Sequence, residues 1–289
     1  MKLLVSLKTL ELESYLKFTN SFLIGLKDYC VNYHEASTNE IKNLLEKYPQ
    51  IELFISINKN IFNEDLEDLK LKLQELAKLN IKGILFYDLS ILNLVKELNL
   101  NIPLVIHQEH MITNYNICNY YDDKEVEYAY LSTDITTEEI LEIAKQTKIK
   151  LMVFLVGNLL ITHSKRNLIS NYYEYYQEDN KCAKHILKEK NKEEKYIIEE
   201  TKQGTNILTY HILNGARAFL TLKDEISYGV FDSNIRDDLE EKDFLRILEL
   251  YSLVLEEKIS DEDFLKEITK ISNNYHEGFF NKKTIYKVK

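Results

Sequence analysis

His163, Lys165 and Arg166 stand within four positions of one another, just after the apolar run Met152–Val156 and Gly157. Imidazole, ammonium and guanidinium at this spacing make a local cationic group. The planar two-pronged donor of Arg166 suits a carboxylate or a phosphate. A solvated loop with ordinary surface pairs would carry the same residues, so both readings stay open. Asn114 and Asn171 are polar companions of this candidate binding set, and His107 belongs to it from another part of the chain. His107 and His110 flank Glu109, a pattern that could hold a divalent cation. Positions three apart on a strand face opposite ways, however, so both rings reach one ion only if the chain turns after His107. The simpler assignment is a core-edge histidine and a loop histidine, with no metal.

Other chemistry has less support. No H-E-x-x-H or G-x-S-x-G run occurs, and Ser164 and Ser170 read as polar turn residues. The tyrosine-dense stretch Tyr172–Tyr176 could stack on splayed RNA bases or form a protein interface. Glu174, Glu178 and Asp179 oppose the RNA role, so packing of this stretch against the rest of the chain is expected.

The elements that must position these residues alternate between short β-branched or aromatic runs and amphipathic helices, the pattern of a parallel sheet. Candidate strands are Leu3–Ser6, Ser21–Gly25, Glu52–Ile57, Gly83–Tyr87, Pro103–His107, Glu127–Leu131, Lys150–Val156 and Ser227–Phe231. A helix beginning at Asn63-Glu-Asp-Leu carries an apolar stripe of Leu66, Leu69, Leu73, Leu76 and Ala77. Thr136 and Glu139 have capping-box spacing. The acidic run Asp237–Asp243 reads as the start of the helix through Leu245, Leu248 and Leu250. Eight strands with helical crossovers predict an α/β fold, a closed (β/α)8 TIM-type barrel, with an open doubly wound sheet as the alternative. No glycine-rich phosphate loop follows any strand.

About 70 residues separate the seventh and eighth candidate strands, too many for one crossover. Lys184–Lys188, Lys195–Glu199 and Thr205–Leu208 read as strands there. The expectation is a single domain over 1–289 with a small β-rich insertion at 160–215, following strand seven on the side where barrels build function.

The formal net charge is −10, which argues against tight nucleic-acid binding by this chain alone. No apolar run approaches the roughly 20 residues needed to span a bilayer, and the N-terminus lacks the features of a secretion signal. Cys30, Cys118 and Cys182 are odd in number and widely spaced, as in reduced cytoplasmic thiols.

The stretch from Met152 to Tyr172 resembles the signature of the peptidase U32 family, roughly V-x-G-x-x-C followed after six residues by C-L-x-S. Gly157, Leu168 and Ser170 keep its frame, while Leu160 and Asn167 occupy the two cysteine positions. Phe22–Lys27, Ile102–His107, Thr113–Tyr120, Ser164–Tyr175 and the ending Gly278–Lys289 extend the likeness. The first two are similar to the family's second and fifth strands, and the last three are most similar to the shorter of two U32 proteins found together in low-GC Gram-positive bacteria. The resemblance implies a part in prephenate-dependent hydroxylation of the tRNA wobble uridine to 5-hydroxyuridine. Family members with four cysteines carry an iron–sulfur cluster, which needs four thiolate-type ligands. Here Cys182 lies near a third ligand position, and Ile186 stands where its neighbour would be. The resemblance therefore implies a cluster-less accessory subunit, with the cluster in a U32 paralogue as partner and tRNA reached through the complex. Prephenate is then a possible co-substrate near His163, Lys165 and Arg166. Two alternatives are an independent barrel enzyme for a small carboxylic acid and, last, a diverged collagenase-like peptidase.

Overall fold

The computed structural model describes residues 1–179, 182–190, 192–235, 239–272 and 274–282. Seven parallel strands follow one another: β1 (Lys2–Ser6), β2 (Ser21–Leu26), β3 (Glu52–Ile57), β4 (Gly83–Phe86), β5 (Leu104–Ile106), β6 (Tyr128–Tyr130) and β7 (Lys150–Gly157). An insertion follows, with β8 (Leu160–Ser164), β9 (Lys184–Lys188), β10 (Lys195–Thr201) and β11 (Gly204–Thr209). The chain returns through β12 (Ile212–Asn214) to β13 (Tyr228–Asp232), which pairs in parallel with both β7 and β1. That double pairing closes an eight-stranded barrel. All eight candidate strands are present, each within a residue or two of its expected ends, and the open-sheet alternative is excluded.

Six helices cross between barrel strands or cover them late in the chain: α1 (Thr38–Lys47), α2 (Leu66–Leu76), α3 (Leu89–Glu97), α4 (Tyr115–Asp122), α5 (Thr137–Gln146) and, after the insertion's α6 (Leu168–Tyr176), α7 (Ala216–Leu222). Two more, α8 (Glu241–Leu255) and α9 (Asp261–Ile271), follow β13. Local chemistry starts several of them. Ser37 with Glu40 and Thr136 with Glu139 form capping boxes on α1 and α5, satisfying amides that have no partner inside the helix. In α2, Leu69, Leu73 and Leu76 are buried. The acidic run expected to open a helix does lead into α8 at Glu241, although 237 and 238 lie outside the described residues, as do 283–289 of the ending.

The N-terminal end of the barrel is plugged by aromatic rings. Phe54, Tyr128 and Tyr228 meet edge to face at centroid distances of 5.2 to 5.9 Å, a geometry favoured by the ring quadrupoles. Tyr228 donates to Glu52 (2.9 Å), which also holds Lys2 (2.6 Å). This end is a packed stopper, leaving the opposite end of the strands open for function.

The insertion departs from expectation in two places. Its sheet has four antiparallel strands in the order β9-β10-β11-β8, where three were expected. The polar stretch after Gly157 is not a loop: it supplies β8 and then α6. β8 is an edge strand, with two exposed residues and three partly exposed ones, so no apolar alternation marked it. The tyrosine stretch also lies differently. Tyr172, Tyr175 and Tyr176 on α6 are exposed, and Tyr173 packs on His185 within the insertion at 5.6 Å. Ile169, not the tyrosines, is the buried anchor of that helix.

Candidate functional site

The C-terminal ends of the strands converge on a small open cavity of about 60 Å³. His107 follows β5, Tyr130 ends β6, Asn158 follows β7, Asp232 ends β13, and Asn32 and Tyr33 come from the segment after β2. Glu109, His110 and Phe154 complete much of the wall. Gly157 lets β7 turn beside Asp232: its φ is +146°, and a Cβ there would lie 2.7 Å from Asp232 Cβ. Asn158, released by that turn, donates from Nδ2 to the Thr209 carbonyl (3.0 Å) and ties the mouth to the insertion.

His107 is a buried titratable group of the mouth. Its ring stacks on Tyr130 at 4.2 Å and 16°, and Nδ1 has no hydrogen-bond partner among the described residues. Burial pushes its pKa down to about 4, so the imidazole is uncharged at neutral pH. Burial holds the Tyr130 phenol well above its ordinary range, keeping the O–H as a neutral group. Glu109 is pushed upward by burial, partly opposed by His110. Asp232 accepts from Ser6 Oγ (2.6 Å) and the Asn234 amide (3.1 Å). No lysine or arginine lines this cavity among the described residues.

The candidate binding set is only partly brought together. His107 is in the mouth, while His110 sits exposed with Nδ1 2.7 Å from Asp134, so the two histidines do not converge. His163, on β8, lines an adjoining cavity of about 230 Å³ that shares Glu109, His110 and Leu160 with the mouth. Asn206 donates Nδ2 to the Val31 carbonyl (2.8 Å), leaving Oδ1 to accept from His163 Nδ1 (2.8 Å). Lys165 lies over the Phe62 ring at 3.5 Å, a cation–π contact. The Arg166 guanidinium has no ion-pair partner among the described residues, and its carbonyl accepts from Thr205 Oγ1 (2.7 Å). Lys165 and Arg166 line neither cavity, so the three cations expected as one group are spread over the insertion's rim. Asn114 is the N-cap of α4, its Oδ1 accepting from the Ile117 amide (3.1 Å), and it too lines neither cavity. Asn171 is exposed on α6.

Sequence reasoning missed Asn32, Tyr33, Tyr130, Asn158 and Asp232. The available signal was positional: Tyr130, Asn158 and Asp232 stand at or just beyond the C-terminal end of an expected strand, the functional face of such a barrel, while Asn32 and Tyr33 lie farther along the segment after β2.

The side chains do not fit a four-thiolate cluster. Leu160 faces the mouth and Asn167 stands at the N-terminus of α6, both without a thiol. Cys30 is buried, and Cys118 lies buried in α4. Burial pushes both thiols up to about 12, away from the thiolate that binds iron. Cys182 is exposed in the insertion. Among the described residues no three His, Cys, Asp or Glu side chains converge as metal ligands. No helix of the described residues is long and apolar enough to cross a membrane.

Comparison with known proteins agrees with this architecture. The peptidase family U32 model matches residues 22–288. The chain is 24% identical to tRNA hydroxylation protein P2 of Bacillus subtilis over 287 residues, covering 92% of each. It is 21% identical to tRNA hydroxylation protein P1 of the same organism over 148 residues, 51% of this chain and 35% of that protein. A U32 peptidase of solved structure superposes with a TM-score of 0.51 at 9% identity, over 81% of this chain and 93% of that one.

Proposed function

The chain belongs to the peptidase U32 family, and from that premise we propose that it serves tRNA hydroxylation as a cluster-less subunit beside a U32 paralogue that carries the cluster. The observation that carries this reading is the end-to-end likeness to tRNA hydroxylation protein P2. Leu160 and Asn167 at the two ligand positions support the accessory role, because neither side chain can supply a thiolate. In this reading the partner supplies the redox chemistry. This chain supplies an interface and a barrel mouth whose groups are uncharged or acidic. Prephenate, if it is the co-substrate, belongs with cations: Lys59 lines the adjoining cavity, and Lys165 and Arg166 stand on the rim.

The test is mass spectrometry of nucleosides from total tRNA of a strain lacking this gene. Loss of 5-hydroxyuridine and its derivatives, restored by the intact gene, is expected. Unchanged levels in that strain, and in double deletions with each U32 paralogue, would reject the reading. Co-purification with a cluster-bearing U32 protein of the same cell tests the partnership.

The cavity itself favours a second reading, an independent barrel enzyme for a small carboxylic acid. Its weakness is that no lysine or arginine lines the mouth among the described residues. It requires a ligand-dependent rise in melting temperature that Arg166→Ala abolishes. Peptidase chemistry has least support, since the lining contains no serine or cysteine to act as nucleophile.

A further inference from the structure

Four tyrosine rings of α6 touch in sequence. Tyr173 meets Tyr172 at 5.5 Å, Tyr172 meets Tyr176 at 4.8 Å, and Tyr176 meets Tyr175 at 5.0 Å. Of these, Tyr173 turns inward onto His185 of β9. Tyr172, Tyr175 and Tyr176 are 57%, 79% and 56% exposed, and Leu168, one turn before Tyr172, is exposed as well. Spacings of three and four residues put these side chains on one stripe of the helix. Leu187 stands two residues beyond His185, so it shares the sheet face that α6 covers, and it too is exposed. At about 200 Å² for a whole tyrosine, the three rings leave roughly 400 Å² bare. That is about half of what one partner buries in an ordinary protein interface. A contiguous apolar patch of this size marks an interaction site. Ile169 anchors the helix from beneath and Glu200 caps its amides, so the stripe is held in one orientation.

The charges around the stripe select what can cover it. Glu174 precedes Tyr175, and Glu178 and Asp179 follow the last turn, where the helix dipole is also negative. All three are exposed, and none has an ion-pair partner among the described residues. Strand alternation turns Lys184 and Lys188 of β9 to the sheet face opposite His185. An RNA strand stacked on the rings would bring its phosphates against these carboxylates. A second copy docked about a two-fold axis would bring the same carboxylates against themselves. A protein surface with an apolar centre and a surround of lysine and arginine meets both the rings and the charges. A subunit that supplies the RNA affinity that this chain of net charge −10 lacks must itself be basic. We propose that the stripe of Leu168, Tyr172, Tyr175 and Tyr176 docks such a basic-rimmed face of a partner protein, the U32 paralogue of the functional reading. This rests on that reading and deepens it by locating the contact between the two subunits.

The experiment titrates each purified cluster-bearing U32 paralogue of the same cell into the full chain by isothermal calorimetry, at low and at high salt. One paralogue is expected to bind, more weakly at high salt. Tyr175→Ala combined with Tyr176→Ala should weaken that binding about thirtyfold or more, the loss typical of central interface aromatics. Both side chains are exposed, so the melting temperature of the variant should stay that of the parent. Glu174→Lys combined with Glu178→Lys should weaken binding too and remove its salt dependence. A paralogue that binds the tyrosine variant as tightly as the parent overturns the docking face and leaves the functional reading in place. Self-association of the unaltered chain in sedimentation velocity, abolished by the tyrosine substitutions, would make a second copy the occupant and overturn it as well. Binding of a uridine RNA that the same substitutions abolish would do so in favour of RNA. No binding by any cluster-bearing paralogue overturns the partnership and the docking face together, while loss of 5-hydroxyuridine in the deletion strain tests the pathway separately.

Discussion

His107 shows how one side chain ties stability to the mouth. In the folded protein its ring stays neutral until pH falls to about 4, because burial opposes the charge. In the unfolded chain the same ring takes a proton near its ordinary value of 6.5. Below pH 6.5 the unfolded state therefore holds the extra proton. The stability contributed by the neutral ring is complete above 6.5 and is lost as pH falls toward 4, by up to roughly 3 kcal/mol. His107→Phe keeps a ring against Tyr130 and removes the titration. Urea denaturation between pH 7 and 4.5 should show a smaller acid loss for the variant than for the parent. Equal slopes would mean that the ring is not held neutral.

At the scale of elements, α6 is held to the insertion by an acid that comes from another strand. Glu200 on β10 accepts from the amides of Ile169 and Ser170, both at 3.0 Å, and from the Ser170 hydroxyl. A carboxylate at a helix N-terminus satisfies orphan amides and opposes the helix dipole. Glu200→Ala should loosen this helix at a cost of about 1 kcal/mol. Hydrogen exchange should then lose protection at residues 168–176 while the barrel strands keep theirs. Protection lost uniformly would mean that insertion and barrel unfold as one unit. The same contact explains why α6 was hard to read from its sequence. Its cap lies thirty residues away, and Asn167 at its own N-terminus makes no side-chain cap bond. By contrast, the box at Thr136 is complete within four residues and that helix start was legible; the box at Ser37 is as local, but was not read from the sequence.

For the whole molecule, the plugged end and the open end divide stability from function. Tyr228 fills the plug with 3% of its surface exposed, touching Phe54 and Tyr128 from a strand that joins first to last. Tyr228→Ala should destabilise by about 3–5 kcal/mol, the usual range for an aromatic truncated in a core, read from the urea midpoint. Binding measured at the mouth should survive wherever the variant remains folded, since none of the three plug rings lines the mouth. A small loss would show that the plug tolerates collapse around the missing ring.

How much was legible follows from how far each signal reaches along the chain. Eight apolar runs, two capping boxes, the insertion's strands β9, β10 and β11, and the missing thiols at Leu160 and Asn167 were all determined by the sequence itself. Each depends on residue types within one turn or one strand. The tertiary structure alone decided that Asn32, His107, Tyr130, Asn158 and Asp232 share one cavity, and that Lys165 and Arg166 turn away from it. It alone decided that residues 160–164 form an edge strand and that the tyrosines of α6 face outward. Periodicity reports which face of an element must be buried, but not against what. Barrel closure between β1 and β13 joins segments more than two hundred residues apart, and only that closure selects which strand ends meet.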